Sequence, residues 1–116
     1  MGIEALERIE DLPYLAPGVR SYMFSSHDRT GGNDDGFHGI YSSLYKDETG
    51  YVLFDAYGPG CLYRIWSANP GDDLKFYFDE EKSPRIDIAR KDLFSGKVYP
   101  FIFPLAGDMI RSSGGY

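Results

Sequence analysis

The apolar positions of the chain follow two different periods. Ile3, Leu6 and Ile9 recur at helical spacing with charged residues between them, which predicts one short amphipathic N-terminal helix that ends at Pro13. From Val19 onward apolar and polar residues alternate, as is typical of β-strands. This alternation predicts strands at Val19–Ser25, Tyr51–Tyr57, Cys61–Ser67, Leu74–Asp79 and Arg85–Ala89, and a further extended segment, Lys97–Pro104, interrupted at Pro100.

Clusters of turn-forming residues separate the predicted strands: KDETG, GPG, NPGDD and DEEKSP. Asp92–Gly96 is predicted to be a single helical turn. Five or six short strands at near-regular spacing predict an all-β fold, an antiparallel β-sandwich of the jelly-roll kind. The length of 116 residues predicts a single domain, 1–116.

The strand pair predicted across Gly58-Pro59-Gly60 is apolar or aromatic on both faces, so we expect protein to cover both sides of it. A jelly roll has eight strands, more than this sequence predicts. We therefore expect an incomplete sandwich: the front part of a longer protein, or a chain that is completed by a partner.

The charge balance narrows the choice of partners. Twelve basic and eighteen acidic residues give a net charge of −6, which disfavours nucleic acid and anionic membranes as ligands. The single cysteine, Cys61, excludes an intramolecular disulfide and a cysteine-based zinc site. The N-terminus does not resemble a signal peptide, and no apolar run approaches the ~20 residues of a membrane helix, so a cytoplasmic location is expected.

The loop SSHDRTGGNDDGFHG, residues 25–39, is the richest in polar chemistry. A phosphate site is disfavoured, because Arg29 is its only Lys or Arg and its aspartates would repel an anion. A calcium site is disfavoured by the spacing of the oxygen donors, and a zinc site by the lack of ligands beyond His27 and His38. We predict no metal and no cofactor. The loop either forms its own turns, or its Asn and Asp side chains accept from sugar hydroxyls or support a site that does.

Arg64 and Trp66 alternate on one predicted strand face, and Asn69 follows that strand. They form either a core tryptophan with an ion-paired arginine or a platform for a sugar. Asp55, between apolar neighbours, is either a general acid whose pKa is raised by burial or the partner of an arginine or of backbone; a two-residue loop would pair it with Arg64. Cys61 is predicted to lie in the core.

Several motifs in order resemble the N-terminal part of glycoside hydrolase family 172. They are SSHDRTGGNDDGFHG at 25–39, GYVLFDAYGPGCLYRIWSANP at 50–70, LKFYFDEEKSPRI at 74–86 and the DLFSGK turn at 92–97. The resemblance extends over about residues 5 to 116.

The resemblance implies a retaining glycoside hydrolase that acts on α-D-fructofuranosides or α-D-arabinofuranosides. It also implies two consecutive jelly rolls and a trimer-based homo-oligomer. The catalytic glutamate pair of the family lies downstream of the matched region, so no catalytic residue is assigned and this chain alone is expected to be inactive. From loop position and chemistry, the residues expected nearest the sugar or the subunit contact that lines it are Asp34, Asp35, Arg64, Trp66 and Asn69.

Two other functions fit the same sequence. One is a free-standing sugar-binding module that uses the aromatic strand faces, and the other is a capsid-like half-sandwich that associates with copies of itself.

Overall fold

The computed structural model of the chain describes residues 7–11, 13–14, 16–35, 38–67 and 72–107. These residues belong to two compact units, Met1–Tyr63 and Arg64–Tyr116. Three two-stranded antiparallel sheets make up the described strands. The all-β prediction therefore holds for the described residues, with little helix, whereas the jelly-roll topology stays a prediction.

The described part of the predicted N-terminal helix is a 3-10 helix, Ile9–Asp11. The Asp11 N–H donates to the carbonyl of Arg8 at 3.0 Å, and the Arg8 side chain pairs with the Asp11 carboxylate. The first six residues, which include the predicted apolar positions Ile3 and Leu6, lie outside the described residues.

Among the described residues of the first unit, one hairpin forms. Strand β1, Tyr45–Lys46, pairs with β2, Tyr51–Val52, in the register Tyr45 to Val52. The turn between them is the predicted KDETG segment, where the Asp47 carboxylate accepts from the Thr49 N–H at 2.8 Å and from the Gly50 N–H at 3.1 Å.

Two strand predictions fail entirely, and a third fails over most of its length. Val19–Ser25 and Cys61–Ser67 contain no strand, and Tyr51–Tyr57 is a strand only at its first two residues. The hairpin predicted across Gly58-Pro59-Gly60 is therefore wrong. Alternation identifies side chains suited to a sheet, but a strand also needs a neighbour, and these segments have none among the described residues.

The second unit contains the remaining elements. Strand β3, Leu74–Phe76, pairs with β4, Ile86–Ile88, and a one-turn helix, α1, follows at Arg90–Leu93. Strands β5, Lys97–Val98, and β6, Phe101–Ile102, form a tight hairpin around Pro100. The predicted interruption at Pro100 is confirmed, and the predicted helical turn occurs two residues earlier than expected.

The described core is small and lies in this second unit. Leu74 faces Ile88 and Phe76 faces Ile86 on one side of the β3–β4 pair, while Lys75 and Asp87 face each other on the other side. The buried apolar side chains are Ile88, Leu93 and Phe94, and the partly buried ones packed against them are Leu74, Phe76, Ile86 and Phe101.

Gly96 lets the chain turn from α1 into β5. Its φ is +69°, and a β-carbon there would lie 2.7 Å from the carbonyl oxygen of Ala106. The Phe103 N–H donates to the Gly96 carbonyl at 2.9 Å, so the β6 end of the hairpin lies against this turn. Both the positive φ and the close approach require glycine.

Candidate functional site

Asp28 organises the polar loop in the first unit. Its Oδ1 accepts from the Thr30 N–H at 2.8 Å and from the Thr30 hydroxyl at 2.6 Å. Its Oδ2 accepts from the Asp34 N–H at 3.4 Å. The hydrogen bond from the Thr30 hydroxyl has the largest effect on the pKa of the Asp28 carboxyl. Together these bonds lower that pKa and keep the carboxyl ionised.

The two predicted site aspartates of the loop are also hydrogen-bonded within it. Asp35 Oδ1 accepts from the Asp28 N–H at 2.7 Å. Asp34 Oδ1 accepts from the His38 N–H at 3.2 Å and lies 2.8 Å from His38 Nδ1. Among the described residues, no donor contacts the second oxygen of either carboxylate, so each has one oxygen available to a ligand hydroxyl.

The Arg29 side chain contacts other residues of the protein, which does not favour a role in binding an anion. Its guanidinium donates to the Ser43 carbonyl at 3.2 Å and lies 5.6 Å from the centre of the Tyr41 ring. The loop thus uses its cation and its aspartates first for its own turns, which was one of the two alternatives for it. In the part of the chain that the structure describes, no three His, Cys, Asp or Glu side chains converge on a possible metal position.

Arg64 and Trp66 lie in the second unit, and both side chains are exposed, Trp66 with 47% of its surface accessible. The core position for Trp66 is therefore wrong, and so is the strand expected to present these residues. Asn69 belongs to residues 68–71, outside the described residues. The structure brings Asp34 and Asp35 together in one loop and places Arg64 and Trp66 together in one exposed segment.

Asp55 is exposed and accepts a hydrogen bond from the Tyr45 hydroxyl at 2.6 Å. The predicted burial of this carboxylate is wrong, because Asp55 is exposed. Its predicted pairing with Arg64 across a two-residue hairpin loop is also wrong, because neither residue lies in a strand. Cys61 is exposed rather than in the core. The sequence pattern does not indicate that Tyr45 is the partner of Asp55, because it predicts no strand between Ser25 and Tyr51.

A shallow surface cleft of about 380 Å³ in the second unit was also not predicted. The Arg90 N–H donates to Asp73 Oδ1 at 3.3 Å within it. Its acidic residues belong to the turn sequence NPGDD, whose only signal in the sequence was that of a turn, and its basic residues belong to α1. The lining residues are Asp72, Asp73, Ala89, Arg90 and Lys91.

Within the described residues, no helix is both long and apolar enough to cross a membrane.

Comparison with known proteins gives one match. Residues 17–116 match the family model described as the GH172 first beta-sandwich domain. No curated protein and no solved structure matches the chain. The matched segment spans the polar loop, the Arg64–Trp66 segment and all six described strands. The chain therefore belongs to glycoside hydrolase family 172 and carries the first β-sandwich domain of that family.

Proposed function

We propose that this domain serves a retaining glycoside hydrolase that acts on α-D-fructofuranosides or α-D-arabinofuranosides. The observation that carries the proposal is the family match over residues 17–116. The polar loop and the exposed Arg64–Trp66 segment supply chemistry that suits a sugar, namely carboxylate acceptors, a guanidinium donor and an aromatic face.

The two catalytic carboxylates are proposed to come from outside residues 1–116. Retention of configuration needs two carboxyl groups about 5–5.5 Å apart, one of them with a raised pKa so that it can act as an acid. Glu81 does not suit that role, because its hydrogen bond to Arg85 lowers its pKa. The matched description names a first domain, and a following domain is the natural source of the pair.

In this proposal the chain contributes contacts to the sugar rather than the reacting groups. In the first unit, the second oxygens of Asp34 and Asp35 accept protons from sugar hydroxyls. In the second unit, Trp66 stacks on a sugar ring, and Arg64 donates to ring or hydroxyl oxygens of that sugar. Asn69 is proposed to contact the same sugar as Arg64 and Trp66, because it lies only three residues after Trp66 in the sequence.

Titration with methyl α-D-arabinofuranoside and methyl α-D-fructofuranoside tests this proposal through the emission of Trp66, the only tryptophan. A saturable change at millimolar sugar is expected, and Arg64→Ala should weaken binding about fivefold by removing one charged donor. Arg20→Ala, at another exposed arginine, is the control and should leave the affinity unchanged. An emission that stays constant up to high millimolar sugar would overturn the proposed contacts.

A second candidate function, self-association, is favoured by the extent of exposed apolar side chains. Leu53, Phe54, Ile65 and Phe103 are all exposed, as are many others among the described residues. Such surfaces mark protein–protein contacts. We propose a homo-oligomer, and sedimentation velocity over a range of concentrations tests it; a monomer at every concentration would rule it out.

A further inference from the structure

The side chain of His38 contacts Asp34 in the polar loop of the first unit. Its Nδ1 lies 2.8 Å from Asp34 Oδ1, and its backbone N–H donates to the same oxygen at 3.2 Å. The His38 side chain is 80% exposed, and that of Asp34 is 23% exposed. These two contacts are here called the Asp34–His38 clasp. The clasp joins a ring that can exchange protons with solvent to a carboxylate that is mostly covered.

The Asp34 end of the clasp is connected to the other aspartates of the loop. The Asp34 N–H donates to Asp28 Oδ2 at 3.4 Å, and the Asp28 N–H donates to Asp35 Oδ1 at 2.7 Å. Three aspartates against the single Arg29 give the polar loop a net charge of −2 while both of its histidines are neutral. A positive charge on the ring of the clasp would therefore lie in a loop with an excess of negative charge.

Protonation of the His38 ring changes the strength of the clasp. Histidine is the side chain whose charge ordinarily changes between about pH 5 and 8. The neutral ring carries its proton on either Nδ1 or Nε2, and only the first form donates to Asp34, whereas the protonated ring donates from Nδ1 and also attracts the ionised carboxylate by its charge. Among the described residues, no acidic side chain other than Asp34 lies within 4.0 Å of the ring nitrogens. The pH response therefore depends on this one pair.

We propose that the Asp34–His38 clasp is a pH-sensitive device, which holds the polar loop more strongly when His38 is protonated. The stronger form needs a protonated His38 and an ionised Asp34. Since aspartate loses its proton near about pH 4 and histidine near about pH 6.5, this form is confined to a window between those two values. Above the window the clasp keeps its backbone bond and loses the attraction of the ring charge. The inference does not depend on the proposed sugar contacts, and its test uses no sugar.

Hydrogen exchange of the amide at position 38 tests the clasp, because this N–H donates directly to Asp34 Oδ1. NMR spectra of the isotope-labelled chain give its protection at about pH 5 and about pH 8, corrected for intrinsic rates. The ring nitrogen signals report the protonation of His38 in the same samples. We expect protection to be about twofold greater at the lower pH, the size that is typical of an exposed ion pair.

Two variants remove the charge at either end of the clasp and keep a polar group there. His38→Gln and Asp34→Asn should each show equal protection at the two pH values. His27→Gln is the matched control at the other histidine of the chain. The Nδ1 of His27 lies 3.0 Å from the Ser25 hydroxyl oxygen rather than against a carboxylate, so the twofold difference should remain in this variant.

The outcomes decide for or against the clasp. A difference in protection that is lost in His38→Gln and Asp34→Asn and kept in His27→Gln supports it. Equal protection of the parent at both pH values, or a His38 ring that stays neutral at about pH 5, would overturn it. So would a difference that persists in His38→Gln or disappears in His27→Gln.

Discussion

Two aspartates, Asp28 and Asp47, organise their turns in the same way. Each carboxylate accepts the N–H and the hydroxyl of the threonine two residues later, Thr30 and Thr49 respectively. In both aspartates the hydroxyl bond is the largest cause of a lowered pKa. At the residue scale, the sequence Asp-x-Thr occurs in both turns and stabilises each exposed turn by the same two hydrogen bonds.

The acid sensitivity of these turns follows from the lowered pKa. A carboxylate whose pKa is lower in the folded chain stabilises the fold above its unfolded pKa of about 3.9 and loses that contribution as the pH falls through the folded value. We expect the hydrogen-exchange protection of the Thr30 and Thr49 amides to be constant near neutral pH and to decline below about pH 4. NMR exchange measurements, corrected for intrinsic rates, check this.

Asp28→Asn provides the internal control for that experiment. The variant should lose the acid transition at Thr30 and keep it at Thr49, because the two turns do not share a carboxylate. Protection at both threonines that is unchanged down to about pH 2 would contradict the role given to these aspartates.

At the scale of elements, the sequence predicts both strands of the β3–β4 hairpin but does not predict β1, and the hairpin predicted across Gly58-Pro59-Gly60 does not form. Leu74–Asp79 and Arg85–Ala89 each contain a strand, β3 and β4, because a short acidic turn brings their matching apolar faces together. Val19–Ser25 shows the same alternation but no adjacent partner. Among the described residues no strand pairs with it, and local periodicity does not report whether a pairing strand is present.

The candidate site, like the strands, could be predicted from the sequence only in part. The turn chemistry of the loop could be predicted from Asp, Asn and Gly content alone. The exposure of Trp66 and the bond between Tyr45 and Asp55 could not, since burial and side-chain pairing depend on which segments meet.

The backbone of the turn between β3 and β4 is locally strained, and substitution can relieve this strain. Asp79 and Glu80 have φ values of +50° and +60°, and the Glu81 N–H donates to the Phe78 carbonyl at 3.0 Å. Turns with two such residues favour Asn-Gly. Asp79→Asn combined with Glu80→Gly should raise the free energy of unfolding by about 1 kcal/mol.

Thermal denaturation of the double variant measures this effect. Ser83→Gly is the control, because Ser83 is not among the described residues with a positive φ. It should be neutral or slightly destabilising. A double variant with a lower melting temperature than the parent would contradict the proposal that this turn is strained.

The small core of the second unit depends on Leu93, of which only 4% is exposed. Leu93→Ala should lower the free energy of unfolding by about 2–4 kcal/mol, since it leaves a cavity between Ile88 and Phe94. Leu105→Ala, at a leucine 68% exposed, should change it by less than about 0.5 kcal/mol. Denaturant unfolding compares the two, and equal effects would show that this cluster is not the core.

For the whole molecule, the described residues bury few apolar side chains and expose many. The three buried ones lie in one unit, while large aromatic and aliphatic residues of both units face solvent. The matched family model describes a first β-sandwich domain. Such an exposed apolar surface suits contact with further protein. This surface supports the proposed self-association, whereas the proposals that the chain binds sugar and that the reacting carboxylates lie elsewhere rest on the family match.

The most direct test measures binding and hydrolysis in the same sample of the 116-residue chain. Methyl α-D-arabinofuranoside is added, the emission of Trp66 is followed, and released sugar is quantified over hours. We expect a saturable change in emission and no release of sugar above the rate in buffer. Release of sugar by the chain alone would contradict it, because the catalytic carboxylates would then lie within these residues.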